Sequence, residues 1–179
     1  MLLKDLNNKV LNQMSNDMKV NVFSLPKVEK IVVSVGLGPN KDNKELIGLI
    51  GKELALITGQ KPKETKAKKS ISGFKVREGQ HIGYAVTIRG DRMWQFLSRI
   101  INVVLPRIRD FDGISEKSID NSGNLSFSVK EQISFPEIKP DEIKSIWGMT
   151  ITVSLDKKTD PKIAKAYYSG LGFIFKSER

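Results

Sequence analysis

Residues Lys30–Gly38 read KIVVSVGLG, and their alternation decides the fold class. The odd-numbered positions 31–37 carry large aliphatic side chains, whereas Val32, Ser34 and Gly36 lie between them and face the other way. A period of two residues predicts a β-strand with one buried and one exposed face.

The same alternation recurs at Tyr84–Arg89, Leu125–Lys130 and Gly148–Leu155. Apolar residues at helical spacing occur near the N-terminus and over Asp42–Thr58. Gly59 is expected to end this second helix, and the basic stretch after it is expected to form a short strand or a loop. The strands and helices do not alternate in the regular way of a parallel sheet. We therefore predict an α+β fold, a single domain over residues 1–179, with a mainly antiparallel sheet, helices packed on its apolar face and a long basic loop.

Local signals set the expected element boundaries. Asp91 is expected to cap a helix that runs through Leu105 and is ended by Pro106. The sequence DNSGN at 120–124 predicts a turn, and Pro161 predicts the start of the last helix.

The exposed face of the predicted strands carries small side chains, most of them with hydroxyl groups. Such side chains let a flat partner approach the backbone, and their hydroxyls can bond phosphate or ribose. The alternative is a solvated face, which antiparallel sheets commonly have. These positions are Ser34, Thr87, Ser126, Ser128, Thr150, Thr152 and Ser154.

Charge favours an anionic partner. The net charge is +10, and residues 59–82 alone carry seven bases against two acids. Within that range the loop at 70–83 contains three glycines and is expected to be flexible. There Phe74 either stacks on a base or anchors the loop to the core. Residues 111–155 carry four bases and seven acids, so a second, basic partner or simple solvation accounts for them.

Catalytic and metal sites are not expected. The chain has no cysteine, and the sequence indicates no residue that would act with its one histidine, His81, as a catalytic partner or a second metal ligand. The stretch Asp110–Gly113 resembles part of a calcium loop but lacks the ligand spacing. Gly36-Leu37-Gly38 resembles the start of a dinucleotide fingerprint without its third glycine, which leaves a nucleotide-binding enzyme as an alternative from another class. A general binder of nucleic acid is a further alternative, and no cofactor is expected.

A membrane location is not expected either. No apolar run approaches the roughly 18 residues of a membrane span, and the N-terminus does not open a signal peptide. A cytoplasmic protein is the default expectation.

Four stretches in fixed order resemble one protein family. They are ITGQKPKETKAKKSISGFKVREG, TIRGDRMWQFLSRII, LPRIRDFDGIS and GNLSFSVKEQISFPEI. The chain resembles bacterial-type large-subunit ribosomal protein number five from about Val28 to Phe175. The resemblance implies a structural, non-enzymatic ribosomal role with several partners: 5S rRNA in the central protuberance, 23S-type rRNA, P-site tRNA, and small-subunit ribosomal protein number thirteen across an intersubunit bridge.

The resemblance also implies sites. The 5S rRNA contacts are expected at Ser34, Gln60, Lys61, Lys63, Lys66, Lys68, Thr87 and Arg89. The tRNA-facing loop is expected to use Lys69, Ser70, Gly73, Phe74, Lys75 and Arg77. The bridge surface is expected at Arg109, Asp110 and Asp112.

Some positions depart from the family pattern. Ser34 stands where many members have asparagine, and His81 stands where proline is usual. Asp112, Ser122 and Trp147 stand where bacterial relatives often have arginine, so any ionic contact made there by relatives is expected to differ in this chain.

Overall fold

The computed structural model of the protein describes residues 3–38, 43–139 and 143–176. The predicted helix start at Asp42 lies outside these residues. The helices and strands follow in the order α1 (Leu3–Met18), β1 (Val28–Gly36), α2 (Lys44–Thr58), β2 (Lys63–Lys66), β3 (His81–Ile88), α3 (Gly90–Arg99), α4 (Leu105–Arg107), β4 (Leu125–Val129), β5 (Met149–Leu155) and α5 (Pro161–Gly170).

The strands form one five-stranded sheet in the order β2-β3-β1-β5-β4. β2 and β3 pair in antiparallel fashion. The main chain of Lys27, just before β1, bonds that of Asp156, just after β5, which is the geometry of an antiparallel neighbour. Leu37 after β1 likewise donates to Ile82 near the start of β3. The predicted α+β fold with an antiparallel sheet is therefore confirmed.

Strand β1 shows the predicted two faces. Ile31, Val33, Val35 and Leu37 are almost fully buried, while Ser34 is exposed. The burial of four aliphatic side chains stabilises the fold by roughly 1.5–3 kcal/mol each.

Contacts divide the chain into two compact units. Unit 1 comprises residues 1–31, 88–127 and 151–179, and unit 2 comprises residues 32–87 and 128–150. One domain over the whole chain stays a prediction.

In unit 1 the core is built on two adjacent tyrosines of α5. Tyr167 and Tyr168 are fully buried. The Tyr167 hydroxyl donates to Asn7 Oδ1 of α1 at 2.6 Å, and the Tyr168 hydroxyl donates to the Gly123 carbonyl at 3.0 Å. Burial raises the pKa of both hydroxyls, so they stay protonated donors at neutral pH. They tie α5 to α1 and to the turn at 120–124.

The turn at 120–124 forms as predicted. The Asp120 carboxylate accepts the backbone N–H groups of Ser122 and Asn124, both at 2.8 Å. Burial acts to raise the pKa of Asp120, but the bond from the Asn124 side chain, at 2.9 Å, and these backbone bonds outweigh that effect and hold the pKa below its ordinary value.

The helix after β3 differs from the prediction at both ends. Asp91 is not its cap: Arg89 precedes the first residue without a side-chain cap bond, and Asp91 lies in the first turn, 2.9 Å from Lys4 Nζ. Pro106 does not end the helix, because a π-helical turn at Ile100–Val104 leads into α4, which contains the proline. Pro106 stands in the first turn of α4, where a helix tolerates the missing proline N–H.

In unit 2 Trp147 is buried beside a buried acid. Its indole Nε1 donates to Glu53 Oε2 of α2 at 2.6 Å, and its backbone N–H donates to Gln132 Oε1 at 2.9 Å. At a position where the resemblance implies arginine, this chain therefore has an interior tryptophan that partners a buried carboxylate. The contact lies in the core of unit 2, where an uncompensated polar atom is costly.

Replacement of Trp147 by phenylalanine tests this buried contact. We expect the free energy of unfolding to fall by about 1–3 kcal/mol, because Glu53 loses a donor in a buried place. Urea denaturation measures the change. Trp94→Phe, at a half-buried position of α3, is the control. The double change Trp147→Phe with Glu53→Met should recover much of the lost free energy of unfolding, because no buried polar atom is then left without its partner. A loss equal to the sum of the losses in the two single variants would contradict this contact.

Candidate nucleic-acid interface

The lysines that follow α2 lie on the surface of unit 2. Lys61, Lys63, Lys66 and Lys68 are all exposed, and Gln60 is half-buried. Lys63–Lys66 form β2, which settles the alternative between a short strand and a loop left open by the sequence. A strand holds its side chains at fixed spacing, so the ammonium groups of Lys63 and Lys66 are presented from a paired backbone.

The close approach of three strands holds β2 in place. Thr65 pairs with Gly83 of β3, and the register shifts between Thr65 and Lys66. A Cβ atom on Gly83 would lie 2.6 Å from the Val35 carbonyl oxygen and 2.8 Å from Thr65 Oγ1. Only glycine fits this position, so the register of the basic strand depends on a missing side chain.

The turn between α2 and β2 joins two of the expected 5S rRNA residues. Gly59 adopts a left-handed conformation (φ 67°) and ends α2 as predicted. Gln60 Nε2 then donates to the Thr87 carbonyl at 3.2 Å. The structure thus brings Gln60 and Thr87 together near the basic strand, with the Thr87 side chain exposed.

The hydroxyl-rich face is partly self-paired. In unit 2, Ser128 Oγ and Thr150 Oγ1 lie 3.2 Å apart, and in unit 1, Ser126 Oγ and Thr152 Oγ1 lie 3.0 Å apart. In each pair one hydroxyl proton is used inside the protein. Ser34 of β1 is exposed. Its side chain, which is shorter than the asparagine implied by the resemblance, therefore lies on the face where the contact with 5S rRNA is expected.

Arg89 is the expected 5S rRNA residue that lies in unit 1. Its guanidinium Nη1 lies 2.8 Å from Glu29 Oε1. This hydrogen bond holds the pKa of Glu29 below its ordinary value, so the two charges compensate each other. The sequence missed this pair because the partners lie 60 residues apart.

The expected tRNA-facing loop carries its own backbone bonds. Ile71 and Val76 exchange two of them, at 2.9 and 3.2 Å, around a 3-10 turn at Ser72–Phe74. The loop ends earlier than expected, because β3 begins at His81 rather than at Tyr84. Lys69, Ser70, Gly73, Lys75 and Arg77 are all exposed. The flexibility of the loop stays a prediction.

Phe74 does not anchor the loop in the core, since it is 72% exposed. It lines a hollow of about 780 Å³ with Ile71, Val76 and Ile82, beside Lys68 and Lys69. The sequence did not indicate that Ile71 and Ile82 line this hollow, because aliphatic residues are expected to be buried and these two are exposed. An aromatic and aliphatic hollow edged by lysines suits a nucleobase with its phosphate.

The expected bridge surface lies in unit 1. Arg109, Asp110 and Asp112 are exposed, and Asp110 has a positive φ of 53°. Asp112 Oδ2 lies 3.4 Å from Lys176 Nζ. An exposed pair of this kind contributes about 0–1 kcal/mol, so both side chains stay available to a partner.

The nucleotide-binding alternative gains no structural basis. Gly36 is the last residue of β1, which lies in an antiparallel sheet and is followed in the chain by α2, whereas dinucleotide sites lie at the carboxyl ends of parallel strands. The expected third-glycine position at Lys41 lies outside the described residues. His81 Nε2 is 2.8 Å from the Gly83 carbonyl oxygen and its ring meets Tyr84 edge-on, so a structural contact accounts for it.

No further kind of site is found in the described ranges. Within residues 3–38, 43–139 and 143–176 no helix is long and apolar enough to cross a membrane. In the same part of the chain no group of three or more His, Cys, Asp or Glu residues is placed to hold a metal ion.

The exposed lysines and the polar strand face therefore define a nucleic-acid-binding α+β protein. Comparison with known protein families identifies one family within this class of nucleic-acid-binding proteins. The family described as Ribosomal protein L5 matches residues 21–77, and the family that describes the C-terminus of the same ribosomal protein matches residues 81–175.

Curated relatives agree over nearly the full chain. The large ribosomal subunit protein uL5 of Ureaplasma parvum serovar 3 is 47% identical over 99% of this chain and 97% of its own length. The uL5 of Geotalea uraniireducens is 49% identical over 98% of both chains, and that of Thermosipho melanesiensis is 48% identical over 88% of this chain and 86% of its own.

The chain belongs to the bacterial-type uL5 family of large ribosomal subunit proteins. It is thus a structural, non-enzymatic constituent of the large subunit that binds RNA and serves translation.

Gly83→Ala tests the close packing behind β2. We expect the free energy of unfolding to fall by about 1–3 kcal/mol, because the new methyl group meets a backbone oxygen that cannot move freely. Thermal or urea unfolding measures it. Gly73→Ala is the matched control, since a Cβ there meets nothing within 4 Å; it should change stability by less than about 0.5 kcal/mol. Equal effects of the two changes would refute the packing argument.

Proposed function

We propose that the chain binds 5S rRNA in the central protuberance through β2, its preceding turn and the polar face of unit 2. The observation that carries the proposal is a series of exposed lysines in and beside β2, next to the Gln60–Thr87 contact. Lysines neutralise phosphates and supply affinity, whereas amide and hydroxyl groups add directional bonds to sugars and bases. Ser34, Gln60 and Thr87 supply those groups. The chain would do this within ribosomes of the cytoplasm.

The loop that the structure places at 70–80, before β3, is proposed to contact P-site tRNA. Lys75 is held in a left-handed conformation (φ 50°) at the end of the Ser72–Phe74 turn. The backbone N–H of Arg77 donates to Gln80 Oε1 at 3.1 Å, and Ser70 Oγ accepts from the N–H of Glu78 at 2.9 Å. Exposed cations on a turn braced in this way fit a folded RNA that approaches from outside the subunit.

The surface at Arg109, Asp110 and Asp112 is proposed to meet small-subunit ribosomal protein number thirteen. At Asp112 it presents an acid where the resemblance implies arginine, so the partner surface in this ribosome should be more basic in compensation. The chain is also proposed to contact 23S-type rRNA in the large subunit.

Reversal of two charges on the basic segment tests the 5S rRNA site. Lys66→Glu with Lys68→Glu should weaken 5S rRNA binding by at least about tenfold and lower the slope of log affinity against log salt by about two. Filter binding across a salt series measures both quantities. Circular dichroism should show an unchanged fold, because both side chains are exposed.

The matched control is Lys117→Glu with Lys162→Glu, which changes the net charge equally at two exposed positions of unit 1. It should weaken binding far less. Equal losses in the two double variants would mean that total charge, and not this site, governs binding.

Charge reversal in the loop tests the tRNA contact separately. Lys75→Glu with Arg77→Glu should leave 5S rRNA affinity unchanged and speed the dissociation of P-site tRNA from ribosomes that carry the variant. The physical reason is the loss of two phosphate contacts outside the 5S site. An unchanged rate of tRNA dissociation would mean that Lys75 and Arg77 do not contact P-site tRNA.

A further inference from the structure

Unit 1 presents an aromatic ring to solvent on a braced turn. Phe23 lies in the 3-10 turn Val22–Ser24 and is 76% exposed. Asn21 Oδ1 accepts the Phe23 backbone N–H at 2.9 Å, and the N–H of Ser24 donates to the Asn21 carbonyl at 2.9 Å. The ring is therefore held outward by a defined backbone and not by a loose tail.

Two lysines lie against this turn. Lys27 Nζ is 5.4 Å from the centre of the Phe23 ring, and Lys157 Nζ donates to the Phe23 carbonyl oxygen. Asp156 sets their positions, because its Oδ1 accepts the N–H of Lys27 at 2.8 Å and its own N–H donates to the Lys27 carbonyl at 2.9 Å. The exposed Lys158 follows directly in sequence.

We propose that Phe23, Lys27 and Lys157 form a second RNA contact, in which the ring stacks on an unpaired base and the two ammonium groups approach its phosphates. A single exposed apolar side chain is ordinary on a protein surface. A braced aromatic ring with two adjacent cations is different, because stacking and charge together recognise single-stranded nucleic acid. The charges make RNA the fitting occupant of this surface. The proposal rests on the ribosomal family assignment and is independent of the 5S rRNA site.

Binding of short single-stranded oligouridylate by the full chain tests the stacking. The Lys66→Glu and Lys68→Glu changes are present throughout, so that the basic segment of unit 2 does not dominate. Phe23→Ala should then lower the affinity by about five- to a hundredfold, and Phe23→Trp should keep it, because tryptophan also stacks. Ile174→Ala, at a position 62% exposed in unit 1, should have no effect.

Ultraviolet crosslinking in assembled large subunits tests the same contact in its natural setting. Trypsin releases residues 20–27 as one peptide in which Phe23 is the sole aromatic residue. A nucleotide adduct is expected on this peptide and should be lost with Phe23→Ala. These subunits carry the native lysines of unit 2. The adduct is detected on residues 20–27, so it reports on the Phe23 contact whether or not the 5S rRNA proposal is correct.

Three results would overturn the proposal. One is equal oligouridylate affinity for Phe23→Ala and the unchanged ring, which excludes stacking. Another is a loss caused only by Lys27→Glu or Lys157→Gln, which reduces the surface to charge alone. The third is a crosslink of residues 20–27 to a protein in place of RNA.

Discussion

The pairing of β2 with β3 is the contact on which the proposed RNA surface depends. β2 has four residues and contains no large aliphatic side chain, so it gains little from burial. Its place is set by backbone pairing and by the absence of a side chain at Gly83, where Val35 and Thr65 fill the space. Lysines on a free loop would give the same charge without direction. In β2 the paired backbone fixes the positions from which the Lys63 and Lys66 side chains project, and the Gln60–Thr87 contact fixes the turn that leads into the strand.

Much of the fold could be predicted from periodicity. The odd-numbered positions 31–37 are all aliphatic, and their side chains are buried because one sheet face packs on the core. The strand at Lys63–Lys66 could only be left open, since its residues are polar and its stability comes from pairing with distant residues. The helix that passes Pro106 was misjudged, because a local rule about proline took no account of the π-helical turn before it.

The candidate site divides in the same way. Exposure of the lysines followed from their charge, and the polar strand face followed from alternation. What the sequence could not show is which polar groups already have partners within the protein. Arg89 is engaged by Glu29, and Ser128 by Thr150. Trp147, where the resemblance implies arginine, is not a surface residue at all but the buried partner of Glu53. Such contacts join residues far apart in the chain and become visible only when the chain is folded.

Charge alone would make this protein bind many RNAs, and its net charge of +10 guarantees some affinity for any of them. The central claim is narrower: the fold selects one RNA. A competition assay at physiological salt tests this most directly, with labelled 5S rRNA bound to the chain and an excess of tRNA or of an unrelated structured RNA of similar length added. Our account predicts that only unlabelled 5S rRNA displaces the label. Equal displacement by all three RNAs would contradict it, because the lysines would then supply charge without shape or base recognition.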